Sequence, residues 1–61
     1  MNIGQRVSFA IGPNQPRALG TVVSAEVAGG YLVGVDAQYV GASQGVLKLV
    51  SWFAAVSLTA I

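Results

Sequence analysis

Residues 19–36 read LGTVVSAEVAGGYLVGVD, and this stretch decides the fold class. Two runs rich in β-branched residues flank the dipeptide Gly29-Gly30, which reaches positive backbone φ at no steric cost and so suits a tight hairpin turn. The reading is a strand over residues 19–27, a turn at Gly29-Gly30 and a second strand over residues 31–36, paired antiparallel. Upstream, residues 5–11 alternate, with Val7, Phe9 and Ile11 on one face and Arg6, Ser8 and Ala10 on the other, as a half-buried strand requires. Residues 12–18 hold Gly12, Pro13 and Pro16, which cannot continue a ladder and form a loop. That loop is stiffened by its two prolines.

Downstream, residues 37–45 are read as a longer loop carrying Tyr39 and Val40. A fourth strand is expected over residues 46–51, with Leu47 and Leu49 on one side and Val46, Lys48 and Val50 on the other. Residues 52–55 are expected to make one helical turn, and residues 56–61 a fifth strand. A single helix over residues 46–61 is the alternative, because Leu47, Leu49, Ala54 and Ala55 favour helix while Val46, Val50, Val56, Thr59 and Ile61 favour strand. The strand reading is preferred, and the expected class is all-β in one domain spanning residues 1–61.

Composition sets the second constraint. The 61 residues include three Lys or Arg and two Asp or Glu, against 54% hydrophobic residues. A small soluble domain usually carries charges at about 25 to 35% of its surface positions, so the chain is expected to cover part of its surface with other protein. Domains below about 70 to 80 residues often need a disulfide, a metal or a partner subunit. The chain has no cysteine and no histidine, so partner burial is the remaining route. The first ten residues lack the apolar run of a signal peptide. The uncharged stretch from residue 49 to 61 is shorter than the twenty or so residues of a membrane span, so membrane insertion is not expected. A net charge of +1 offers no basic face for nucleic acid.

The order strand, loop, hairpin, loop, strand, helical turn, strand resembles the SH3-like barrel, with five short strands and one short helical turn before the last. The resemblance is carried by Gly4-Gln5-Arg6-Val7, Gly20-Thr21-Val22-Val23, Gly30-Tyr31-Leu32-Val33 and the closing Phe53-Ala54-Ala55-Val56-Ser57-Leu58. On this skeleton the chain is similar to the plasmid-borne type II dihydrofolate reductases, which work as tetramers around a pore lined by a valine-glutamine-isoleucine-tyrosine strand. The matching positions here are Val46-Leu47-Lys48-Leu49-Val50, without the glutamine or the tyrosine. The small SH3-like subunit of photosystem I is similar over Gly20-Thr21-Val22-Val23-Ser24 and Tyr39-Val40-Gly41, but it is a charged protein.

The residues offer little for catalysis. Acid-base chemistry wants a tuned side chain beside a partner, and nucleophilic chemistry wants an activated hydroxyl or thiol. Glu26 and Asp36 fall at different heights across the hairpin and read as solvated strand-end charges rather than a carboxylate dyad. Lys48 reads as a charge guarding a strand edge. Gly41-Ala42-Ser43-Gln44-Gly45 lacks the following helix of a phosphate cradle. No catalytic, metal or cofactor-binding residue is assigned, and no cofactor is expected.

Trp52 and Phe53 are adjacent, and in an extended segment only one of them can point inward, whereas a helical turn would tuck both into the core; both readings stay open. Aromatic residues anchor interfaces. Tyr39, Val40, Lys48, Val50, Trp52 and Phe53 are therefore the candidate contact residues. The expected function is a non-enzymatic structural subunit, a homo-oligomer or a component of a larger assembly. A phage particle or capsid decoration suits so small and cysteine-free a chain, in the virion or in the cytoplasm of the host cell. The alternatives are a reductase-like homo-tetramer and a small nucleic-acid or ribosome-associated barrel.

Overall fold

Alternation in the first strand is realised over residues 6–9, a shorter span than the 5–11 read from sequence. β1 (Arg6–Phe9) turns Val7 and Phe9 inward, both essentially inaccessible to solvent, and leaves Arg6 and Ser8 on the outer side. The computed structural model describes residues 1–40 and 48–61. The remaining strands are β2 (Ala18–Val22), β3 (Gly30–Val35), β4 (Val50–Ala54) and β5 (Thr59–Ala60). They form one antiparallel sheet in the order β4-β3-β2-β1-β5, so the chain meanders from β1 to β4 and β5 returns beside β1. Short 3-10 turns occupy Ala37–Tyr39 and Ala55–Ser57, the second directly before β5. The fold is all-β.

One inner face holds the core. Val7, Phe9, Ala18, Val22, Tyr31, Val33, Val35 and Leu58 are buried, with Ile11, Tyr39, Phe53 and Ala55 packed against them. Each large apolar side chain fully buried in this way contributes about 1.5 to 3 kcal/mol relative to exposure. Ala18 is part of this core and pairs with Phe9, so the second strand begins one residue earlier than its sequence suggested.

The hairpin turn also differs from the sequence reading, by one residue. Val27 and Gly30 bridge each other, exchanging N–H to carbonyl bonds of 2.8 and 3.0 Å, and the two residues between them are Ala28 at φ 52° and Gly29 at φ 81°. Two successive positive φ values are the type I′ geometry that matches strand twist. Gly30 is instead the first residue of β3, where its missing side chain makes room for β4. A Cβ there would collide with the Phe53 carbonyl oxygen and lie 2.5 Å from Cζ2 of Trp52.

Between β2 and the turn, the ladder slips by two residues: Val22 faces Val33, whereas Val27 faces Gly30. The extra residues bulge on the β2 side, and the Ser24 hydroxyl accepts the Leu32 N–H at 3.0 Å in place of a backbone carbonyl. A regular strand over residues 19–27 therefore does not form. Ladder pairing ends where a side-chain oxygen competes for the amide.

The C-terminal third departs most from expectation. Strand four runs over Val50–Ala54, not residues 46–51, and the helical turn falls at Ala55–Ser57, not residues 52–55. Residues 46 and 47, like most of the 37–45 loop, lie outside the described residues. Residues 48–61 contain no α-helix, which removes the single-helix alternative for that part. Pairing with β3 explains the shift: Trp52 lies opposite Leu32 and Phe53 opposite Tyr31, which seats Phe53 on the core. The short fifth strand spans two residues, not six.

Candidate interaction surface

The sheet's outer face divides into a polar half and an apolar half. On the polar half, the Arg6 guanidinium donates to both carboxylate oxygens of Asp36, at 2.9 and 2.7 Å, and to the Thr21 hydroxyl at 2.8 Å. This fork geometry is the strong form of a charge-assisted pair. Asp36 is thus an ion-pair partner rather than a simply solvated charge, although both side chains remain open to solvent. The Arg6 hydrogen bonds hold the Asp36 carboxyl below the ordinary carboxylate range, outweighing the opposing effect of desolvation. The same bonds raise the Arg6 guanidinium.

Arg17 is tied down similarly. Its Nε donates to the Ser8 hydroxyl, and its Nη2 donates to the Ser8 carbonyl and the Thr59 hydroxyl, all at 3.0 to 3.1 Å. Both arginines are therefore engaged, Arg6 with Thr21 of β2 and with Asp36 just after β3, and Arg17 with Ser8 of β1 and Thr59 of β5. Alternation places Arg6 outward and the proline-bearing stretch places Arg17 in a loop, but their partners come only from tertiary pairing: β1 with β2 and β5 brings up Thr21, Ser8 and Thr59, and β2 with β3 brings up Asp36.

The apolar half is built by β3 and β4. Alternation turns Leu32 outward between Tyr31 and Val33, and turns Val50 and Trp52 outward around Ser51. Leu32 is 38% exposed, and Val50 and Trp52 are each 47% exposed. Val23 and Val27, which flank the bulge, are exposed as well. Trp52 does not wave freely. Its indole lies over Gly30, and its Nε1–H donates to the Val27 carbonyl at 2.9 Å. An aromatic held in one orientation loses little entropy on contact, the property of an interface anchor.

The residues singled out from sequence separate in space. Phe53 faces inward, its ring 4.4 Å from that of Phe9 at a tilt of 33°. Tyr39 is half-buried against the core in the 3-10 turn that follows β3, and Val40 beside it is exposed. That turn follows Val35, whereas Trp52 lies against Gly30 at the other end of β3. Lys48 is exposed but precedes β4, so it is not a charge within that strand. Leu32 and Val23 were not singled out beforehand. The signal for Leu32 is present in the alternation of residues 31–35, where one apolar residue must face away from the core, whereas Val23 lies beyond the end of β2, where no alternation marks it.

Among the described residues there is no pocket and no cluster of three or more His, Cys, Asp or Glu side chains. No helix there is long and apolar enough to cross a membrane. Comparison with protein-family models, curated proteins and solved structures gives no match.

Proposed function

We propose that this chain is a non-enzymatic structural subunit that self-associates through the apolar outer surface of β3 and β4. The observation that carries the reading is Trp52, half-exposed yet fixed by its bond to Val27, at the centre of a patch with Leu32, Val50, Val23 and Val27. Such a patch is unfavourable in water and favourable once covered, by about 25 cal/mol per Å² removed from solvent. The near-absence of charge in the chain points the same way. The fold completes the proposal as an SH3-like barrel, a reading supported by the strand order and by the 3-10 turn before β5. A virus particle decorated or tiled by small subunits, in particular a phage capsid, is the setting that best suits it.

Sedimentation equilibrium tests the reading. The expected result is a species heavier than the 6.2 kDa chain that dissociates on dilution. A soluble 6.2 kDa monomer at every concentration overturns it.

A further inference from the structure

The two edges of the sheet are unequal. β5 offers two residues, Thr59–Ala60, whereas β4 offers five, Val50–Ala54, with no charge, no proline and no bulge among them. Proteins ordinarily protect such an edge with one of those devices, because its open N–H and C=O groups pair with any strand that approaches.

The bonding phase of β4 identifies the open groups. The Val35 N–H donates to the Leu49 carbonyl at 2.8 Å, and the Ala55 N–H donates to the Gly29 carbonyl at 3.0 Å. In an antiparallel ladder, alternate residues bond to the neighbour, so Ser51 and Phe53 share this phase and face β3. The N–H and C=O groups of Val50, Trp52 and Ala54 therefore point away from the sheet. The indole of Trp52 is drawn back over Gly30 to Val27, and among the described residues no strand pairs with β4 on that side.

We infer that β4 pairs antiparallel with β4 of a second copy of this chain, about a two-fold axis centred on Trp52. This rests on the self-association proposed above and specifies its geometry. In that register Trp52 pairs with Trp52 of the second copy, and Val50 pairs with Ala54 in both directions. Every outward-facing residue of the strand exchanges both its backbone bonds. Centring the axis one residue to either side leaves fewer such pairs within Val50–Ala54. The same patch thus contacts itself, as a two-fold interface requires. Charge selects the direction: a parallel pairing would set Lys48 beside Lys48 of the second copy, whereas the antiparallel one places them at opposite ends, beyond the Debye length of about 8 Å. Pairing also joins the two Leu32, Val50 and Trp52 patches into one band.

Ala54→Pro tests the geometry without disturbing the subunit. Ala54 has φ −60°, the value proline imposes, and follows a residue in extended backbone. Its N–H is not used by β3, so proline removes only an edge donor and places a ring where the second strand would lie. The expected result is a folded variant whose self-association is weaker by roughly tenfold or more. Amide exchange of the unmodified protein is the second measurement: Val50, Trp52 and Ala54 should slow as concentration rises, while Ser51 and Phe53 stay protected throughout. An oligomer in which the first three exchange at dilute rates, or an Ala54→Pro variant that associates like the parent, overturns the edge pairing while leaving self-association standing. A parent chain that never associates overturns both.

Discussion

The Trp52 indole donates its Nε1–H to the Val27 carbonyl at 2.9 Å, at the turn end of the hairpin. Val27 is already bonded to Gly30 through both its backbone groups, so the indole caps a closed turn and holds β4 against it. Gly30 lies beneath the ring, and the three residues form one unit linking turn geometry to the orientation of the exposed aromatic.

Gly30→Ala should break that unit. The added methyl meets the Phe53 carbonyl oxygen, which is backbone and cannot swing aside, as well as the Trp52 ring. The expected loss is about 3 kcal/mol, at the upper end of overpacking costs, read from urea unfolding. A loss under about 0.5 kcal/mol would mean that β4 shifts freely relative to β3.

Trp52 and Phe53 should separate on truncation. Phe53→Ala removes the ring that packs on Phe9 and should cost about 3 kcal/mol of folding stability. Trp52→Ala removes a half-exposed side chain and one hydrogen bond, for a folding cost of about 1 kcal/mol, but should weaken association by about 2 kcal/mol or more. Paired unfolding and sedimentation measurements decide this. Equal losses of folding and association for Trp52→Ala would mark it as a core residue.

Ala28→Asn should stabilise the protein. Ala28 sits at φ 52°, where an L side chain with a Cβ is strained by about 1 to 2 kcal/mol and asparagine is better tolerated. The expected gain is about 1 kcal/mol, which for a domain of this size raises the melting temperature by about 4 to 8 °C. Unchanged or lower thermal stability would contradict the turn geometry.

Acid should abolish the contribution of Asp36. Its carboxyl is held below the ordinary value of 3.8 by the Arg6 guanidinium, so the pair contributes above that value and the contribution is lost as pH falls through and below it. Asp36→Asn should therefore be less stable than the parent at pH 7 and equally stable near the acid limit. Denaturant midpoints measured from neutral to strongly acidic pH read the convergence. A difference that persists unchanged in acid would assign Asp36 a role other than charge.

The sequence by itself determined the all-β class, the inward set Val7 and Phe9, the hairpin between the second and third strands, and the shortage of charge. These depend on period-two alternation, on glycine at the turn and on composition, all of which are local. Tertiary structure decided the rest. Ala54 and Ala55 have no strong strand preference, so the limits of β4 are set by pairing with β3 and by the seat that Phe9 offers Phe53. Turn position moved by one residue because Gly30 was needed under Trp52, leaving Ala28 and Gly29 to take the positive φ angles. Asp36 found Arg6 thirty positions away, a distance in sequence that no local pattern encodes. Trp52 and Phe53 fall where the sequence reads a helical turn; it is the pairing of β4 with β3 that extends them as strand, sends them to opposite faces and fixes Trp52 as the outward one.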